Sequence, residues 1–265
     1  MRFLLFVILA VACSAQDNDS DSGSDEETRI LGGSNAADGE FPYQVSLRIK
    51  SNNKLYHFCG GVIISPKWIL SAAHCTLTHN YPADKIRVVT GTNKLDSGGD
   101  TYEVEKVITH EKYDGKSFLN DVEVLKLKKE IKFGDKVANI SLASSNTPGG
   151  VDLIASGWGY TTNNRYGRQS PNDLQKLMVK SLSVKECQDS ALKVYKKTNP
   201  IVDSQLCTYK AEGQGICQGD SGGPVVYKKE VVGLASWVIS CARGRPDVFT
   251  RVFSFVDWIK KNTSE

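Results

Sequence analysis

Apolar residues in this chain come mostly in short bursts. From residue 41 onward, runs rich in Val, Ile, Leu and Tyr alternate with turn residues. Runs of this kind bounded by Gly, Pro, Asn and Ser are the signature of strands. They predict strands over 45–49, 62–64, 86–89, 102–108 and 122–127. A second set is expected over 153–156, 175–182, 224–227, 231–237 and 247–252. Between the sets, 142–150 is rich in Ser, Asn, Pro and Gly and reads as a crossover. Only near the C-terminus does the period change. There Phe255, Val256 and Ile259 fall at helical spacing, with Ser254 as candidate N-cap, so 254–262 is expected as the one clear helix. The pattern is all-β, with no visible internal repeat.

Two stretches at the N-terminus do not fit that pattern. Arg2 precedes an apolar run over 3–12, followed by Cys13-Ser14-Ala15. This reads as a secretory signal peptide ending after Ala15, too short to span a bilayer comfortably. Residues 16–29 hold Asp17, Asp19, Asp21, Asp25, Glu26 and Glu27 among Ser and Gly. With almost no apolar side chains, this segment cannot bury enough surface to fold. It reads either as an acidic tail or as a peptide shed by cleavage after Arg29. The folded domain is expected over 30–265.

Composition narrows the class. The chain has 265 residues, 40% hydrophobic and 24% charged, which is ordinary for a globular protein able to fold without a cofactor. Loss of 1–29 removes Arg2, Arg29 and six acids, leaving 31 basic against 24 acidic residues, a net +7. Lys126, Lys128, Lys129 and Lys132 cluster, but no aromatics are interleaved. They read as a solvated face, not as a nucleic-acid or membrane surface. Seven cysteines become six once Cys13 leaves with the signal: Cys59, Cys75, Cys187, Cys207, Cys217 and Cys241. An even count in a secreted chain implies disulfides, and six cysteines allow 15 pairings. Their spacing fits no zinc pattern.

The candidate chemistry lies in Gly215-Ile-Cys-Gln-Gly-Asp-Ser-Gly-Gly-Pro224. Ser221 stands among glycines, so its hydroxyl can be held clear of neighbouring side chains. The N–H groups of Gly219 and Ser221 can point into one small space, as a developing oxyanion requires. A serine nucleophile needs a base, and the base needs an orienting acid. His74 in Leu70-Ser-Ala-Ala-His-Cys75 and Asp121 in Asn120-Asp-Val-Glu-Val-Leu125 supply them. Their chain order is His, Asp, Ser, and other folds carrying this triad use other orders.

On these motifs the chain resembles the secreted serine endopeptidases of the chymotrypsin family, from Ile30 almost to the C-terminus. The resemblance implies two antiparallel six-stranded β-barrels with a C-terminal helix. It implies the pairs Cys59–Cys75, Cys187–Cys207 and Cys217–Cys241. It also implies a zymogen: a trypsin-like protease cuts after Arg29, and the new amine of Ile30 pairs with Asp220. Ser236-Trp237-Val238 matches the strand that pairs with substrate, Ser236 supporting Asp121. Gly215 stands at the pocket floor where trypsins carry Asp, and Ile216 follows, giving an uncharged, apolar floor. Burying a large apolar side chain there is worth about 1.5–3 kcal/mol, so cleavage after Phe, Tyr and Leu is expected.

Two residues complicate the pocket. Val238 replaces a wall glycine and should narrow it. Asp247 takes a position usually held by Gly near the back, where it could attract a basic side chain, bind water, or pair with Arg243 or Arg245. Gly215 with Asp247 resembles arthropod chymotrypsins and the broad-specificity serine collagenases. Broad or collagenolytic cleavage and elastase-like cleavage are the alternatives. A non-catalytic binding protein on the same fold is the reading from another class, but such members usually lack a triad residue.

The remaining features are expected to be quiet. Thr92 stands where calcium-binding members place Glu, so no metal is expected, and no cofactor. Partners implied are protein or peptide substrates, the activating protease and protein protease inhibitors, with the enzyme a monomer. Asn139-Ile-Ser141 and Asn262-Thr-Ser264 are glycosylation sequons, with another at Asn18. His57, His79 and His110 read as surface or packing residues, and Glu123 as a solvated strand-end side chain.

Overall fold

The computed structural model describes residues 30–162, 169–195 and 201–264. The expected signal and activation peptides lie outside these residues. Strands dominate. The first barrel is built from β2 (Gln44–Ser51), β3 (Lys54–Ser65), β4 (Trp68–Ser71), β5 (Ile86–Thr90), β6 (Asp100–Thr109) and β7 (Glu123–Leu127). It closes in the order β2-β3-β4-β7-β6-β5. The second holds β9 (Asp152–Gly157), β10 (Gln175–Leu182), β11 (Gln205–Tyr209), β12 (Pro224–Tyr227), β13 (Glu230–Val238) and β14 (Asp247–Arg251). It runs β10-β11-β14-β13-β12-β9 and closes where β9 pairs with β10. All these pairings are antiparallel. Short β1 (Ser34–Asn35) adds to β10, and β8 (Ser141–Leu142) lies parallel to β13 at the start of the expected crossover.

The strand period of two sorts the core. Ile63, Ile69, Leu125 and Leu127 point into the first barrel with Leu47 and Val88. Their neighbours Val62, Leu70 and Val124 point the other way and pack with Leu153, Leu206 and Phe249 of the second barrel. The first barrel's wall is therefore apolar on both faces, and the two barrels share one interface. β13 lies in that interface, and Val231–Ser236 is buried throughout, as a continuous apolar run requires.

Sequence patterning found five strands in each barrel and missed β4 and β11. β4 has only four residues and no alternation to read. β11 is buried along most of its length although Gln205 and Thr208 are polar. A helix was also missed. α1 (His74–Leu77) is a single turn, but α2 (Val184–Tyr195) runs three turns' length and precedes α3 (Val256–Thr263). Its start is a capping box: Ser183 Oγ accepts from Glu186 N at 3.3 Å while Glu186 Oε2 accepts from Ser183 N at 2.8 Å. Ser183-Val-Lys-Glu186 was the legible signal. At α3 the expected cap is corrected. Ser254 lies inside a 3₁₀ turn over Val252–Phe255, and Phe255 holds the cap position without a side-chain bond. No described helix is long and apolar enough to cross a membrane.

The sulfur pairs are those implied by the resemblance. Cys59–Cys75 ties α1 to β3, Cys187–Cys207 ties α2 to β11, and Cys217–Cys241 ties the Ser221 loop to the segment after β13.

If the partition of the first barrel holds, Leu125→Ala leaves a cavity between Ile63, Ile69 and Leu127. A destabilisation of about 2–5 kcal/mol is expected, read from the midpoint of urea unfolding.

Candidate active site

The site forms where the barrels meet. Asp121 ends the loop leading into β7 and is fully buried (0% exposed). Its carboxylate accepts three hydrogen bonds. His74 N and His74 Nδ1 each donate at 2.8 Å, and Ser236 Oγ of β13 donates at 2.5 Å. Thr250 Oγ1 of β14 holds the Asp121 carbonyl at 2.7 Å. Three donors compensate a buried carboxylate for its lost water. Because a carboxylate only accepts, Nδ1 carries the imidazole proton, and Nε2 keeps a lone pair for a second partner.

Ser221 enters from the second barrel. Its carbonyl accepts from Gly60 N of β3 at 2.7 Å, and Gly222 N donates to Ala235 O of β13 at 2.7 Å. The turn around it needs left-handed backbone. Gly219 has φ 99° and Gly222 φ 72°. A Cβ on Gly222 would lie 2.7 Å from Gly60 O and collide with Ser71 Oγ. His74 and Ser221 line one cavity of about 250 Å³ with Ile216, Ser236, Trp237 and Val238. Of the expected substrate-binding residues, these four are thus brought together with His74 and Ser221. Phe118, missed in the sequence, also lines it; its ring meets the His74 ring edge-on at 5.8 Å.

Gly215 and Asp247 lie behind Ile216. Asp247 is buried (4% exposed), and its Oδ2 accepts from Ile216 N at 2.9 Å. A Cβ on Gly215 would sit 2.7 Å from that same oxygen. The carboxyl thus occupies the room that a side chain at 215 would need. It is turned to backbone and not to Arg243 or Arg245. Burial pushes it up to about 8, the Ile216 N–H opposes this, and the Asp220 charge adds to it.

Asp220 is likewise buried, with Oδ1 accepting from Gly159 N at 2.7 Å and Oδ2 from Cys217 N at 2.9 Å. Burial raises it to about 6. Ile30 is fully buried in the shared core, and Leu31 O accepts from Gly215 N at 3.0 Å. The start of the described chain therefore runs beside the 215–220 loop.

Two expectations are corrected. His57 is no mere packing residue: its ring bonds the Gly219 carbonyl through Nε2 at 2.9 Å. A carbonyl only accepts, so Nε2 carries the proton. Nδ1 then accepts from Ser46 Oγ at 2.9 Å, which accepts in turn from Arg48 Nε at 3.0 Å. Withdrawal from solvent pulls this ring down to about 4, so it is neutral at physiological pH. Only the pairing of β2 with β3 brings these residues together, and nothing in their spacing announces it. Glu123, expected at the surface, is fully buried at 0% exposed. It faces inward because its strand is apolar on both faces.

Among the described residues, Cys59, His74 and Cys75 bring three metal-donor atoms within 4.8 Å of one another. Two of these are disulfide sulfurs, which offer no thiolate.

Comparison with known proteins follows the same outline. Residues 30–259 match the sequence model of the family described as Trypsin. The chain is 36% identical over 261 residues to Trypsin II-P29 of Gallus gallus, covering 97% of each chain. It is 36% identical over 234 residues to Chymotrypsin-2 of Vespa crabro, covering 88% of this chain and 99% of that one. Anionic trypsin of Bos taurus is 36% identical over 243 residues, 90% of this chain and 91% of its own.

Gly222→Ala should therefore displace Ser221 and leave the chain folded through its disulfides. A fall in kcat/KM of about 100-fold is expected, the scale of an ångström-sized misplacement, measured on peptide substrate with intact disulfides checked by mass.

Proposed function

The chain belongs to the trypsin family and is a serine endopeptidase, and from that premise we propose that it is a secreted zymogen, activated by cleavage after Arg29, that cuts peptide bonds after Phe, Tyr and Leu. Residues 1–15 are the signal, 16–29 the activation peptide and 30–265 the peptidase domain. Three disulfides suit an oxidising compartment.

The observation that carries the mechanism is the hydrogen bond from His74 Nδ1 to buried Asp121. It leaves Nε2 free to take the proton of Ser221 as the hydroxyl attacks the peptide carbonyl. Asp121 keeps the imidazole in that tautomer and stabilises the imidazolium that forms. The N–H groups of Gly219 and Ser221 receive the oxyanion, and the His57 bond to the Gly219 carbonyl braces the 219–220 peptide that lies between these two donors. Protonated His74 gives its proton to the leaving amine. It then activates the water that hydrolyses the acyl-enzyme.

Activation follows from Asp220. Among the described residues its buried carboxyl has backbone donors and no cation, and burial raises it. A new ammonium on Ile30 supplies the missing charge and favours the carboxylate, ordering the 215–220 loop. The activating protease is trypsin-like, since it reads Arg29. The active enzyme is a monomer open to protein inhibitors.

Specificity rests on Ile216, Trp237 and Val238 in front, with Gly215 and Asp247 behind. Near pH 7 the Asp247 carboxyl is largely protonated and the floor is apolar. Asp247 also supports the broad-specificity reading: once ionised, it offers a basic side chain a buried counter-charge.

Two outcomes are expected. Trypsin-treated Ser221→Ala should fold as the parent does and lose turnover by at least about 10⁴-fold, the scale of a lost nucleophile; retained activity would sink the acyl-enzyme scheme. In a peptide-library digest, cuts after Phe, Tyr and Leu should dominate at pH 6.5. Cuts after Arg and Lys should grow by pH 9, as the group near 8 ionises, and fail to grow in Asp247→Asn. Basic cuts independent of pH and of that substitution would exclude Asp247 from specificity.

A further inference from the structure

Glu123 takes no part in this scheme, yet it is one of the most enclosed charged side chains in the protein. It stands on β7 between Ser71 of β4 and Thr109 of β6. Its Oε2 accepts from Thr76 Oγ1 at 2.5 Å, and its Oε1 is buried without a partner. The Thr109 side chain is a second polar neighbour. No cation among the described residues pairs with it. The charged group nearest in sequence is Asp121, two residues back, and its charge acts on Glu123. Tyr113 faces the same pair of acids, its hydroxyl beside Thr78 and pushed up to about 12, chiefly by burial and then by the Asp121 charge. Burial likewise raises the Glu123 carboxyl well above the usual range; the Thr76 bond opposes this and the Asp121 charge adds to it.

Thr76 is the other half of the observation. It lies two residues after His74 in α1, which is a single turn with no side-chain cap at Ala73. One turn holds few internal hydrogen bonds and is not stable alone. Its orientation must come from tethers outside itself. Among the described residues its side-chain tethers include the Cys59–Cys75 bridge, the Asp121 carboxylate on His74, and Glu123 on Thr76. Asp121 and Glu123 thus grip residues 74 and 76 with two carboxyls set two residues apart.

We propose that Glu123 is a positioning residue for the reaction, a buried carboxyl that holds Thr76 and so fixes the turn carrying His74 against Asp121. This rests on the His74–Asp121 reading above. Tightening α1 from behind keeps Nε2 aimed into the cavity while Asp121 handles the front of the ring. An apolar side chain would fill the space equally well but could not orient Thr76.

The test uses the trypsin-activated enzyme, with active sites counted by a serine-directed phosphonate. Glu123→Met and Thr76→Val should each lower kcat about tenfold, with KM within about twofold, as expected for lost orientation and not lost binding. The acid limb of kcat/KM should move to lower pH, because a loosened imidazolium loses part of the support of Asp121. The double variant should be no worse than either single one. Glu123→Gln and Thr76→Ser keep the bond and should restore kcat to within about twofold. Wild-type kcat and acid limb in Glu123→Met, whatever its melting temperature, would overturn the proposal. So would equal impairment in Glu123→Gln, which would mean that the charge matters. Should Glu123→Met fail to fold, the Thr76 pair decides on the same criteria. Failure here with Ser221→Ala inactive strikes Glu123 alone; an active Ser221→Ala strikes the triad reading itself.

Discussion

A carboxylate held without water between two barrels is the constraint on which this structure turns. Asp121 is fully buried, and an uncompensated charge there would cost several kcal/mol. Its donors come from both halves of the molecule: His74 from the first barrel, and Ser236 of β13 from the second, with Thr250 of β14 holding its backbone. The charge is satisfied only when the barrels are docked. Docking and assembly of the site are therefore one event, driven by the shared apolar face of Val62, Leu70, Val124, Leu206 and Phe249.

The Ser221 side of the site is fixed almost wholly by backbone. Gly60 N, Ala235 O and the His57 ring hold the 219–223 turn by its peptide groups. Such contacts ask little of side-chain identity except that none intrude, and this explains the density of glycine there. The His57 relay back to Ser46 and Arg48 extends that support into the wall of the first barrel. A neutral ring suits the task, since it needs one donor and one acceptor.

Around the hydrogen-bonded Asp121 carboxylate stand three acids that burial pushes toward neutrality: Asp220, Asp247 and Glu123. Each sits at a joint. Asp220 lies in the 215–220 loop that Leu31 runs beside, Asp247 lies behind Ile216, and Glu123 backs the helix of His74. Asp220 and Asp247 have backbone N–H donors and Glu123 a threonine hydroxyl; none has a cation among the described residues. A buried acid without a cation is sensitive to any positive charge brought near it.

The sequence by itself determined the strand-rich class, ten of the barrel strands, the His, Asp and Ser motifs and their order, and the even set of cysteines. These are properties of local spacing: period-two alternation, glycine around a hydroxyl, and residue types that chemistry requires. β4 and β11 escaped because neither shows clean alternation, one too short and the other carrying buried Gln205 and Thr208. α2 escaped although Ser183 and Glu186 announced its start. Only the tertiary structure decided which way side chains face. Glu123 went inward because the wall of β7 is covered on both sides. His57 met Gly219 because strand pairing and barrel docking bring together residues 162 apart in sequence. Asp247 turned to the Ile216 backbone and not to an arginine, because a buried carboxyl takes the donor that the fold presents. Burial and partnership at such distances are not encoded in any short stretch of chain; they arise only when two closed sheets share a face.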